Sequence, residues 1–180
     1  LCAPLVVGCL AACEDAERRL DTMVAAAQPG ARVQVANDLV SAFDAKSITF
    51  EAALIRAETL LERRDPNAIV FAGAVLDFAD RIEPSLPDGP EFELFWRRVG
   101  RLAYGASFEA MNAQRWDEAA TLVLAGPRRW QREPYWIAYP NHDILVAVSM
   151  GQQGDPRGGI ARLQSRPMLT PEMTAAIEQL

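Results

Sequence analysis

Side chains that could do covalent or proton-transfer chemistry are few in this 180-residue chain, and they are unevenly placed. It holds one histidine, His142, one lysine, Lys46, and three cysteines, Cys2, Cys9 and Cys13, all in the first thirteen residues. A zinc site needs three or four Cys, His, Asp or Glu ligands, and a thiol nucleophile needs an adjacent base. After Cys13 the chain offers one imidazole and no thiol, which leaves little for either. A Walker-type phosphate loop requires Gly-Lys-Ser/Thr, whereas Lys46 lies in Ala45-Lys46-Ser47 with no glycine nearby. CxxC, HExxH and GxGxxG are all absent, so no metal or cofactor is expected.

Two enzymatic arrangements remain to be weighed. Ala147-Val148-Ser149-Met150-Gly151 is similar to the nucleophile elbow of α/β-hydrolases, with alanine at the first glycine. In that family the triad histidine follows the serine, but here His142 precedes Ser149 by seven residues. On a helix those two side chains stand too far apart along the axis for a direct hydrogen bond. His142, in Asn141-His142-Asp143 after Pro140, reads as a polar residue at a helix start. Carboxylate pairs such as Glu91 with Glu93, or Asp77 with Asp80, allow a small helical hydrolase or lyase as an alternative. Such pairs also occur on any solvated helix surface, and nothing converges them with other catalytic types. A non-catalytic protein is the expectation.

Residues 1–13 carry no charge, and Glu14, Asp15, Glu17, Arg18 and Arg19 follow at once, the profile of a secretory apolar region. With neither an initiator Met nor a basic leader, the start reads as trimmed. Thirteen residues span about 20 Å as a helix, short of a hydrocarbon core of about 30 Å. Leu10-Ala11-Ala12-Cys13 resembles the lipobox of bacterial lipoproteins. That resemblance implies lipidation at Cys13, which would become the first mature residue. An exported protein held on the periplasmic or outer side of a membrane would follow. An uncleaved membrane anchor, or a buried first helix of a cytoplasmic protein, are the competing readings.

The densest group of interaction-type residues is Arg128-Arg129-Trp130-Gln131-Arg132-Glu133-Pro134-Tyr135-Trp136-Ile137-Ala138-Tyr139. Aromatic and arginine side chains anchor interfaces because they bury large areas at low entropic cost and keep a polar handle. Arg128, Arg129, Trp130, Arg132, Tyr135, Trp136 and Tyr139 are therefore the candidate partner-binding residues. The alternative is that the rings fill a gap between helices. Stacking on single-stranded nucleic acid uses the same residue types, but a net charge of −6 and a pI near 4.9 argue against it. Residues 14–95 hold sixteen acids against eight bases, and residues 96–180 eight against ten. This asymmetry would steer an approaching partner, or simply reflect solvated helix faces.

The elements that must position these residues read as helices throughout. Half the residues are hydrophobic, enough for a core and against disorder. Ala16, Leu20, Met23, Val24 and Ala27 form one stripe, ended by Gln28-Pro29-Gly30, and Val33, Ala36, Leu39, Val40 and Phe43 form the next. Ser47 or Thr49 caps a helix through Leu61, and Asp65-Pro66 opens another to about Ile82. Prolines 84, 87 and 90 mark a break, followed by helices at about 92–113 and 116–125. Residues 127–140 have no clean period; helices at 142–152 and 156–166 follow, and Thr170-Pro171-Glu172 starts the last. Ile144–Val148 stands alone as a strand signal, so helix is preferred.

Gln114-Arg115-Trp116-Asp117-Glu118-Ala119-Ala120 resembles the turn and second-helix start of a tetratricopeptide repeat, with Ser107 as the small residue of the first helix. Gly151-Gln152-Gln153-Gly154-Asp155-Pro156-Arg157-Gly158-Gly159 is similar, with Ala147 small, Gly159 at the alanine site and Pro171 at the closing proline. A weaker copy centres on Arg64-Asp65-Pro66. The turns lie 40 and 50 residues apart, against about 34 in the family. Periodicity alone yields an all-α domain over residues 14–180, behind an anchor segment at 1–13. The resemblance implies stacked antiparallel helical hairpins, an α-solenoid without substantial β-sheet. The expected function is a scaffold or accessory subunit binding a protein partner in a membrane-associated assembly. A soluble cytosolic helical regulator or adaptor is the alternative.

Overall fold

The computed structural model describes residues 4–85, 89–125 and 141–180. Their order is α1 (Pro4–Ala26), α2 (Arg32–Asp44), α3 (Phe50–Glu62), α4 (Ala68–Ile82), a 3-10 turn (Glu83–Ser85), α5 (Pro90–Asn112), α6 (Trp116–Ala125), α7 (Asn141–Gln152), α8 (Pro156–Gln164) and α9 (Pro171–Gln179). The protein is all-α, built of packed antiparallel helices, with no strand among the described residues. Capping chemistry sets most of the boundaries. Thr49, Asp155 and Thr170 each accept a first-turn N–H, from Ala52, Gly158 and Met173 respectively. Pro90, Pro156 and Pro171 occupy opening positions, where a missing N–H costs nothing.

Four helices end the same way. Lys46, Arg64, Gln114 and Gly154 adopt left-handed backbone after α2, α3, α5 and α7, with φ of 56°, 53°, 58° and 91°. In each the next N–H reaches the carbonyl five residues back: Ser47 to Ala42, Asp65 to Leu60, Arg115 to Ala110 and Asp155 to Met150, at 2.8–3.0 Å. This Schellman closure satisfies carbonyls that the helix end leaves open, and after α3, α5 and α7 it turns the chain so that the next helix packs on the one before.

The chain divides after Ser85 into two compact units, at the break the prolines mark. In the first, α2 and α3 pack on α4, and the end of α1 joins α2 and α4. α4 is apolar through most of its length, its charges confined to Asp77, Asp80 and Arg81, and Phe71, Val75, Leu76 and Phe78 have no exposed surface. Phe78 meets Phe43 and Phe50 with ring centroids 5.4 and 5.2 Å apart. Arg32 clasps Asp77 through two bonds of 2.8 and 2.6 Å, fixing the start of α2 against α4. Asn67 donates to the Val24 carbonyl (3.1 Å) and accepts from Gln28, tying the end of α1 to the start of α4.

Two local expectations shift. The buried face of α2 is Val35, Ala36, Leu39 and Ala42, while Val33 is 63% exposed. The stripe is rotated because α4 meets the helix one position further on. α4 starts at Ala68 rather than at Pro66, because Asp65 accepts from the Asn67 N–H (2.8 Å) and closes a turn around the proline first.

In the second unit α5 pairs with α6 and α7 with α8; α7 also packs on α6, and α9 closes over α7 and α8. Ala147, Leu163, Met173 and Ala176 form one core cluster, and Leu145 and Val146 meet Tyr104, Met111 and Met150 in another.

Candidate functional site

The second unit repeats one packing device. Ser107 on α5 donates its hydroxyl to the Ala119 carbonyl on α6 at 2.7 Å, with both residues fully buried. Ala147 on α7 faces Gly159 on α8 so closely that a Cβ at Gly159 would lie 2.5 Å from the Ala147 carbonyl oxygen. Ser107 precedes the left-handed Gln114 by seven residues and Ala119 by twelve. Ala147 precedes the left-handed Gly154 and Gly159 by the same intervals. Small residues at these points let two helix backbones approach where any larger side chain would hold them apart. After the Arg64 turn the helix begins four residues on, not two as after Gln114 and Gly154, so the first unit shares the cap but not this spacing.

Between the starts and ends of these helices lies an open cleft of about 510 Å³ lined by Gln114, Arg115, Trp116, Asp117, Glu118, Gln152 and Gln153. Trp116 is half-buried, while Gln114, Asp117, Gln152 and Gln153 are exposed. Arg115 and Glu118 close on each other at 2.5 Å. The lining is thus three carboxamides, an indole, a self-satisfied ion pair and one further carboxylate.

A second polar feature lies on the other side of α7. Asp143, 2% exposed, accepts from Arg162 Nε at 3.1 Å and from an Arg166 guanidinium N–H at 2.5 Å. Arg162 is on the last turn of α8 and Arg166 lies just past its end, so the two reach one carboxylate from the same end of that helix. Asp143 also sits in the first turn of α7, where the helix dipole favours an acid. Sequence reading missed this cluster. The signal available was an acid in the first turn of one helix and two arginines, Arg162 and Arg166, at and just beyond the end of the next.

Cys13 lies on α1, which runs unbroken from Pro4 to Ala26. Among the described side chains of that helix, Glu14, Asp15, Glu17, Arg18 and Arg19 are exposed, and the first buried one is Leu20. No described helix is long and apolar enough to cross a membrane. Arg128, Arg129, Trp130, Arg132, Tyr135, Trp136 and Tyr139 lie outside the described residues. Asn141 begins α7, so His142 is at a helix start as expected.

The enzymatic arrangements fare as follows. Ser149 is inside α7 with no exposed surface, and its hydroxyl finds no partner among the described residues. A nucleophile elbow needs a strand-to-helix turn and an exposed hydroxyl, and Ser149 has neither. Asp77 is held by Arg32, which removes it from acid–base pairing with Asp80. No cluster of three or more His, Cys, Asp or Glu suited to a metal occurs among the described residues. Among the described residues one carboxylate is displaced from its ordinary titration. Glu172 is held below the usual glutamate range by its own backbone N–H and then by the Thr170 hydroxyl, with burial opposing weakly.

Fold and site together define a helical protein whose second unit closes each of two hairpins through a repeated small-residue contact. The chain matches no known protein family, no curated protein and no solved structure.

Proposed function

We propose that this protein is a non-catalytic interaction module of the tetratricopeptide-like kind, a scaffold or accessory subunit that holds a protein partner. The observation that carries this reading is the equal spacing of Ser107/Ala119 and Ala147/Gly159 about left-handed residues 114 and 154. Hairpins each closed by one repeated contact and packed on each other through α6 and α7 form a rigid surface whose exposed side chains are free to vary, which suits recognition of a polypeptide. Arg128, Arg129, Trp130, Arg132, Tyr135, Trp136 and Tyr139 supply the aromatic and arginine anchors. Cys13 carries a lipid that holds the chain on the periplasmic or outer side of a bacterial membrane. The exposed, charged run Glu14–Arg19, which precedes the buried Leu20, supports a tether at that end.

Two measurements test this. The tagged full chain, cross-linked in its host membrane fraction, is expected to retain a discrete protein that the Trp130→Ala/Trp136→Ala variant loses at unchanged helicity. Loss of helicity in that variant would assign the rings to packing instead. Intact mass of the membrane-extracted protein is expected to show a diacyl adduct on a chain beginning at Cys13; an unmodified chain retaining Leu1 rejects the lipid anchor.

A further inference from the structure

We propose that the cleft between the start of α6 and the end of α7 receives the guanidinium of an arginine side chain presented by a partner polypeptide. This rests on the interaction-module reading and specifies what one part of the surface recognises.

The cleft's charge comes from Asp117, Glu118 and Arg115, a net of one negative charge. Arg115 and Glu118 neutralise each other across 2.5 Å, so the charge left to a ligand is that of Asp117, whose carboxylate makes no bond among the described residues. Beside it stands the half-buried indole of Trp116, the aromatic face that attracts a cation most strongly. Helix dipoles do not overturn this preference. The positive start of α6 is offset by its own first-turn acids, Asp117 and Glu118, and α7 ends at Gln152, turning its negative end toward the cleft.

The carboxamides of Gln114, Gln152 and Gln153 complete the chemistry. Each has a carbonyl oxygen able to accept from a guanidinium, whose five N–H donors lie in one plane and whose face stacks on an indole. An ammonium is a compact point charge with three donors and uses less of this lining. A carboxylate or phosphate meets Asp117 with the same sign.

Gln114 holds a left-handed conformation, φ 58°, as Lys46 and Arg64 do at their turns, and the equivalent place in the next hairpin is Gly154. The turn itself therefore accepts glycine, so Gln114→Gly removes a carboxamide from the cleft while leaving the turn in place.

The test is a nuclear magnetic resonance titration of the full chain with N-acetyl-arginine methylamide, and with the lysine, glutamate and norleucine counterparts. Saturable shifts are expected in the side-chain amides of Gln114, Gln152 and Gln153 and the indole N–H of Trp116. A single residue should bind in the millimolar range, on the order of 1–10 mM, with lysine weaker and glutamate and norleucine without saturation. Asp117→Asn should weaken arginine binding about fivefold, and Gln114→Gly should weaken it while raising Tm. If Gln114 has only a structural role, that variant melts higher and binds unchanged. The proposal is overturned by no saturable shift with arginine, by equal shifts with glutamate or norleucine, or by both variants binding as the parent does. A chain that retains its partner but ignores arginine loses this proposal alone; one that binds arginine but captures no partner loses the wider reading.

Discussion

Ala147 and Gly159 meet backbone to side face across α7 and α8, at the place where Ser107 and Ala119 meet across α5 and α6. The room at Gly159 is smaller than a methyl group: an added Cβ would sit 2.5 Å from the Ala147 carbonyl oxygen and 3.3 Å from its Cα. The contact is between main chains, so no rotamer change relieves it. Gly159→Ala should therefore destabilise the second unit even though alanine is the better helix former. Helix propensity returns about 1 kcal/mol and overpacking costs about 1–3, leaving a net loss of up to about 2 kcal/mol. Urea denaturation followed by circular dichroism reads the difference; a more stable variant would show that the helices separate at little cost.

Left-handed turns make the opposite prediction. Lys46 and Arg64 hold φ of 56° and 53° with exposed side chains, so replacing either by glycine removes a Cβ clash and disturbs no core packing. Each change should stabilise by about 0.5–1 kcal/mol, the relief being partly offset by glycine's greater freedom in the unfolded chain. Gly154→Ala, with φ 91° and open space around it, should cost about 1 kcal/mol from backbone strain alone. Thermal melts of the three variants decide the matter, since a purely steric account would leave Gly154→Ala neutral.

Asp143 is a buried acceptor with two claimants. Asp143→Asn keeps the shape, removes the charge, and leaves Arg162 and Arg166 without their shared carboxylate. Both arginine side chains are about a quarter exposed, at 26% and 23%, so water recovers part of the loss. A destabilisation of about 2 kcal/mol is expected, below the 3–5 of a fully buried broken pair. Glu14→Gln, breaking the exposed pair with Arg18, should change stability by less than about 0.5 kcal/mol. Equal effects from the two substitutions would contradict the burial of Asp143.

Glu172 sets a small acid dependence. Its folded-state pKa is depressed, first by its own backbone N–H and second by Thr170, so ionised Glu172 favours the folded state. That contribution is present above the unfolded value of about 4.3 and is lost as pH falls through the lower folded value. Carbon-detected titration of the Glu172 carboxyl should place its midpoint below the unfolded glutamate value. A midpoint at the unfolded value would remove the effect.

How far this architecture was legible in the sequence is clearest at the helix ends. Thr49, Asp155, Thr170 and the opening prolines declare where helices start, because capping is a local negotiation between one side chain and N–H groups two or three residues on. Ser107, Ala147 and Gly159 could be picked out as small residues at repeat positions. Their pairing across twelve residues appeared only when the helices were laid side by side. The left-handed states of Lys46, Arg64 and Gln114 were hidden, since none of the three is a residue type that prefers that conformation.

The sequence by itself determined the helical class, most helix boundaries, the break near the prolines and the scarcity of catalytic side chains. Each of these depends on residue type and on neighbours within a few positions. Tertiary structure alone decided that α2 buries Val35 rather than Val33, that Asp143 draws Arg162 and Arg166 inward, and that Gln114 and Trp116 share a cleft with Gln152 and Gln153. Those outcomes turn on the rotation and approach of helices far apart in the chain. Many side chains packed at once fix that geometry, and no local pattern encodes it.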